Sequence, residues 1–122
     1  RWAVEVRDPS WLHDEVFEVL RRHDAALCIH DLLADHPLEM TTDWTYLRFH
    51  GPRARVRPYT GTYRERGLER IATWLGSVAA SGSDIHAYFN NDVGAASTSD
   101  ARTLAQLMSL RAVGSSDRTD LM

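Results

Sequence analysis

The stretch 44–63, WTYLRFHGPRARVRPYTGTY, decides how the chain is read. Its opening residues read as a strand, and alternate residues of a strand share a face. Tyr46, Arg48 and His50 therefore point one way and Thr45, Leu47 and Phe49 the other. One face carries chemistry and the other core. Gly51-Pro52 stops the strand directly after the histidine, which puts His50 at the rim where strand becomes loop. Parallel α/β proteins keep their reactive groups at that rim.

Upstream, residues 25–29 form a short continuous apolar run, as expected of a strand covered on both faces, and the run ends in His30-Asp31. Residues 1–6 alternate loosely and are closed by Arg7-Asp8-Pro9, which reads as another strand with Ala3, Glu5 and Arg7 on one face. Between these strands Ser10 is placed as a helix N-cap, and Leu12, Val16, Val19 and Leu20 make one stripe of a helix reaching about Arg22. Residues 32–43 contain Pro37 and read as loop with at most one helical turn. Downstream, Leu68, Ile71, Ala72, Leu75 and Ala79 form the clearest helical stripe, with Gly82 placed to end it. Residues 84–90 read as a strand with His86, Tyr88 and Asn90 on one face. A last helix from about Asp100 is expected to turn Ala101, Leu104, Leu107 and Met108 inward, and the small, polar residues from Gly114 onward are expected to be disordered. Strands alternating with helices, without hairpin signals, imply a parallel sheet with helices packed outside it.

The size, 122 residues at 43% hydrophobic, suits one domain. A net charge of -3 argues against wholesale attraction to nucleic acid or anionic lipid, leaving only a local basic patch for phosphate. All 14 basic residues are arginine. The lone Cys28 excludes an internal disulfide and fits a reducing compartment. No apolar run approaches a membrane span and no leader pattern is present, so a cytoplasmic location without a membrane partner is expected. The chain opens on Arg1 with strand character already at its second residue, from which a missing upstream segment is expected.

Five stretches carry a resemblance: AVEVRDPSW (3–11), ALCIHD (26–31), YLRFHGP (46–52), YTGTY (59–63) and YFNND (88–92), the last followed by Gly94 and Ala95. In this order they resemble the YecE-like family, domain of unknown function 72, whose fold is a TIM barrel. The resemblance implies an α/β chain forming strands five to eight of a (β/α)8 barrel, with residues 1–112 as that C-terminal half and 113–122 as a polar tail. An eight-stranded barrel needs about 250 residues. The missing N-terminal half or a second chain is therefore expected to complete the ring. Arg53, Arg55 and Arg57 make one loop more basic than the resemblance implies.

Catalytic residues of such barrels sit at C-terminal strand ends. His50 is the expected general acid or base, with Glu5 or Asp92 as second carboxylate. Arg7 and Arg48 are expected to hold an anion, assisted by Asn90, Tyr59 and Tyr63. An internal ion-pair network is the competing reading of Glu5 and Arg7. A divalent metal is a candidate cofactor, with Glu5, His30, Asp31, His50 and Asp92 as candidate ligands, although no compact ligand motif such as H-E-x-x-H is present. His13, His23 and His36 read as solvated bystanders, and Trp74 and Tyr88 as packing. Asn91 and Asp92 double as turn residues. The expected function is an enzyme acting on a small phosphorylated or otherwise anionic substrate, with phosphoester hydrolysis favoured. The alternatives are a non-catalytic module for nucleic acid or anions, and an inactive truncated half-barrel.

Overall fold

The computed structural model describes residues 1–116. In chain order these form β1 (Trp2–Val4), a 3-10 turn (Pro9–Trp11), α1 (Asp14–Arg22), β2 (Ala25–His30), β3 (Trp44–Phe49), α2 (Arg64–Ala80), β4 (Asp84–Phe89), a second 3-10 turn (Val93–Ala95) and α3 (Ala96–Ser116). Of the tail expected over 113–122, residues 117–122 lie outside the described residues.

The strands form one sheet in the order β1-β2-β3-β4, every pairing parallel. Tyr46 lies beside Cys28 on one side and His86 on the other; Arg48 lies beside His30 and Tyr88. Period-two alternation then separates two faces. On one face Ala25 and Leu27 pack with Phe17 and Leu20 of α1. On that same face Ile29, Leu47 and Phe49 pack with Leu68, Ala72 and Leu75 of α2 and Leu104 and Leu107 of α3. All three helices thus cover a single face. Neighbouring strands follow one another in sequence with helices on one side only, unlike a doubly wound sheet, which carries helices on both faces. Leu47, Leu68 and Leu75 are wholly buried. Each contributes on the order of 2 kcal/mol of transfer free energy.

The polar face carries Cys28, His30, Tyr46, Arg48, His86 and Tyr88. All six β2 residues are buried, as its unbroken apolar run predicts. Pairing of β2 with β3 begins only at Cys28. Ahead of it, Thr41 Oγ1 donates to the carbonyl of Ala25 and accepts the N–H of Leu27. This substitutes for the missing ladder bonds.

Several local expectations change. Ser10 caps no helix: it lies in the 3-10 turn, where Asp8 accepts its N–H at 2.9 Å, and α1 starts four residues later. Phe17 and Leu20 face inward from α1, whereas Val19 is exposed. In α2 Val78 replaces Ala79 in the buried stripe. α3 begins at Ala96 rather than near Asp100 because Gly94, at φ 69°, turns the chain directly into it. Ala101 lies on its exposed side. Residues 31–43, by contrast, form no helix, in keeping with their reading as loop.

Candidate functional site at the strand ends

Because the strands are parallel, their C-terminal ends share one edge of the sheet, and the residues just past them converge. Glu5 follows β1, His30 and Asp31 end and follow β2, His50 follows β3, and Asn90 follows β4. Glu5, half-buried with its side chain 15% exposed, binds Arg7 Nε at 2.5 Å and Arg48 Nη1 at 2.8 Å. Arg48 Nε donates to Asn90 Oδ1 at 3.2 Å. One chain of side-chain bonds therefore links the ends of β1, β3 and β4. Burial opposes ionisation of Glu5, but the hydrogen bonds and charges of Arg7 and Arg48 outweigh it and hold its carboxyl below the ordinary value. A carboxylate held ionised in this way is a weak proton acceptor, so Glu5 is suited to aligning the two guanidiniums rather than to acid-base work. Cys28, beneath it on β2, has Sγ 3.6 Å from Glu5 Oε2. Burial and then the neighbouring carboxylate push the thiol up to about 12.

A second network surrounds Asp31. Its Oδ1 accepts the backbone N–H of His50 at 2.9 Å and lies 3.1 Å from His50 Nδ1. Its Oδ2 accepts the hydroxyl of Tyr63. That hydroxyl oxygen in turn accepts the N–H of Gly51 at 2.6 Å. Burial, then Asp31, raises the Tyr63 phenol. Gly51 sits at φ 126°, and a Cβ there would lie 2.4 Å from the carbonyl oxygen of Thr60, so glycine is required for this closure. His50 is completely buried, and its Nε2 has no hydrogen-bond partner. Tyr59, at φ 68°, donates its N–H to the carbonyl of His50 and places its ring 5.8 Å from the imidazole.

The predicted residues divide accordingly. Glu5, Arg7, Arg48 and Asn90 are joined directly; His50, Asp31 and Tyr63 form the second group, with Tyr59 packed beside it. Asp92 stands apart: it is exposed and makes no side-chain hydrogen bond or ion pair among the described residues. The metal set does not assemble. Among the described residues no group of three or more His, Cys, Asp or Glu side chains is placed to hold a metal ion. His30 has both ring nitrogens engaged by backbone, Nε2 on the carbonyl of Val6 at 2.8 Å and Nδ1 on the N–H of Leu32 at 3.2 Å. An Nδ1 that accepts leaves the proton on Nε2, so this is a neutral, structural histidine. Burial lowers its basicity. His36 is not a solvated bystander: it is half-buried, its ring meets that of His30 edge-on at 4.6 Å, and burial lowers its basicity too. Tyr88 stacks on Tyr46 with ring centres 5.0 Å apart.

Sequence reading missed Asp100. It is wholly buried on α3 and accepts the backbone N–H groups of Tyr63 and Arg64, the start of α2. Asn91 Nδ2 donates to Asp100 at 2.7 Å and to the carbonyl of Gly61 at 2.8 Å, reaching across to another loop rather than to its own turn. The signal was an acidic residue in a helix that is otherwise small and apolar on that side, and it named no partner.

The family model described as a protein of unknown function, DUF72, matches residues 1–120. Two solved structures of DUF72 family proteins share the fold. One is from Enterococcus faecalis V583, at 16% identity and a TM-score of 0.72, covering 88% of this chain and 46% of that one. The other is from Thermotoga maritima MSB8, at 25% identity and a TM-score of 0.72, covering 88% of this chain and 45% of that one. The chain thus spans about half the length of the solved structures it matches. No curated protein matches. No helix among the described residues is long and apolar enough to cross a membrane.

Proposed function

The chain belongs to the DUF72 family of proteins of unknown function, and from that premise we propose that its strand-end rim is the anion-holding side of an enzyme site in a (β/α)8 barrel. In this reading the four strands are strands five to eight, and the remaining strands come from the same polypeptide or from a second copy. The observation that carries the proposal is the Arg7–Glu5–Arg48–Asn90 chain of bonds. Glu5 spends one nitrogen of each guanidinium, Asn90 spends a second on Arg48, and the remaining guanidinium nitrogens have no hydrogen-bond partner among the described residues. Charge-assisted forks of this kind suit phosphate and carboxylate oxygens.

His50 supplies the acid-base group. Asp31 at Nδ1 fixes the ring, as a carboxylate does in hydrolytic triads, and Nε2 is the nitrogen left for substrate. Because the imidazole is buried, the 51–63 loop must shift for Nε2 to meet a substrate. Hydrolysis of a phosphoester is the favoured reaction: Arg7 and Arg48 neutralise the phosphoryl oxygens while His50 handles the proton of water or leaving group.

The test is turnover of an aryl phosphate by the purified protein. Arg48→Met should lower kcat/KM by about a hundredfold, the scale of losing one preorganised donor to the transition state. His50→Ala should abolish turnover. Steep salt-dependent binding of single-stranded nucleic acid with no turnover would instead favour a binding module, for which the exposed Arg53, Arg55 and Arg57 are the supporting feature.

A further inference from the structure

The connection from β2 to β3 carries no helix, so residues 31–43 alone cover the neighbouring part of the helical face. A cleft of about 650 Å³ is left between residues 33–38, residues 51–56 and the side of α2 bearing Arg70 and Ile71. This is within the ordinary range for sites that hold a small organic molecule. Its walls include Leu33, Pro37, Leu38 and Ile71. They also include Val56, which at 88% exposure is the most exposed large apolar side chain among the described residues.

Besides Arg48, which is committed to Glu5 and Asn90, three arginines line the same cleft: Arg53, Arg55 and Arg70. The loop itself dictates their positions. Ala54 is buried and donates its N–H to the carbonyl of Gly51 at 3.0 Å, so the turn is pinned at Ala54 and the arginines on either side of it are exposed. None of the three forms an ion pair with another described residue. The acidic lining residues are Asp31 and Asp35. Asp31 is committed to His50 and Tyr63, which leaves three guanidiniums against one exposed carboxylate.

We infer that this cleft is a second binding site, for a small organic anion that joins an apolar body to a phosphate or comparable oxyanion. Apolar walls take the body and the arginine edge takes the charge. Glu5, Asn90 and His50 do not line it. The site is therefore separable from the rim by mutation, although Arg48, Asp31 and Tyr63 border both.

Titration calorimetry of the purified protein with phenyl phosphate, inorganic phosphate and phenol tests it. Phenyl phosphate should bind more tightly than either half alone. Arg55→Gln with Arg70→Gln should weaken it about tenfold or more, the scale of one or two charge-assisted hydrogen bonds. Arg57→Gln, on the same loop but outside the cleft, should leave that affinity unchanged. Arg53→Gln, tested singly, checks the same edge if the double variant melts early. Four outcomes would overturn the inference: no binding of phenyl phosphate; equal binding of inorganic phosphate; arginine variants that bind like the parent; or an equal loss of binding in Arg57→Gln, which would make the effect one of overall loop charge.

Discussion

The carboxylate of Asp31 holds His50 at two points, the backbone N–H at 2.9 Å and the ring Nδ1 at 3.1 Å. The last paired residues of β2 and β3 are His30 and Arg48, so this tie extends the connection between the two strands past the end of their ladder. Tyr63 binds the same carboxylate and Gly51 binds Tyr63, which fastens both ends of the 51–63 loop to one side chain. Asp31→Ala leaves a buried N–H, a buried imidazole and a phenol without their acceptor. The expected cost is about 2–4 kcal/mol, from one to three kcal/mol for each orphaned group less what relaxation recovers. Asp31→Asn, whose amide oxygen still accepts, should lose less. Urea denaturation of the two variants reads the difference, and equal stability of Asp31→Ala and the parent would show that the tie contributes nothing.

Glu5 gives a pH-dependent prediction. Its carboxyl titrates lower in the fold than the ordinary value of 4.5. As pH falls, the unfolded chain takes up this proton first. The stability from Glu5 is therefore present in full above the ordinary value and is lost as pH falls through the folded one. Glu5→Gln should cost about 1–2 kcal/mol at pH 7, after discounting for the solvent that reaches Arg7 and Arg48. The gap between parent and variant should narrow below pH 4.5. A gap of constant size from pH 7 to about pH 3 would mean that the pairing with arginine is not its source.

Cys28 is 2% exposed, and its thiol is pushed up to about 12. At pH 8 only about one molecule in ten thousand carries the thiolate, the form that reacts. An alkylating reagent should therefore leave the native protein unmodified over hours and label it within minutes in denaturant. Rapid native labelling, followed by intact mass, would show that the polar face opens around Cys28.

What was legible in the sequence follows from strand periodicity. Tyr46, Arg48, His86, Tyr88 and Asn90 could be assigned to one face because side chains alternate strictly, and the observed register sets Arg48 beside Tyr88 and within reach of Asn90. Apolar stripes found α1 and α2 for the same reason. Legibility ended where the chain left the ladder. His30 and Arg48 are equally polar residues on one face, yet the first is consumed by two backbone groups and the second by Glu5 and Asn90. Nothing local distinguishes them, since the carbonyl of Val6 reaches His30 only through the packing of β1 on β2. Asp92 and Asn91 show the same limit: one residue of turn geometry decides that Asn91 is buried against Asp100 while Asp92 faces solvent.

Asp100 carries the last prediction. The first residues of α2 have backbone N–H groups with no partner inside the helix, and the residue at the cap position, Tyr63, supplies no side-chain acceptor. A carboxylate from a different helix fills the role: Asp100 Oδ2 takes the N–H of Tyr63 at 3.1 Å, and Oδ1 takes that of Arg64 at 3.3 Å. Its negative charge also lies at the positive end of the α2 dipole. Arg64 sits at φ 58°, a left-handed conformation that costs a non-glycine residue on the order of 1 kcal/mol and persists because this contact holds the backbone there. Asp100→Ala would strip the cap and also leave one of the two amide hydrogens of Asn91, the one not donated to Gly61, without its acceptor. A lost cap alone costs about 1 kcal/mol. With the buried amide added, the total should be about 2–4 kcal/mol. Amide exchange should accelerate first at Tyr63 and Arg64, and Asp100→Asn should recover part of the protection. Exchange that rises uniformly along α2 and α3, with no excess at those two residues, would mean that Asp100 acts through packing of the helices and not as a cap.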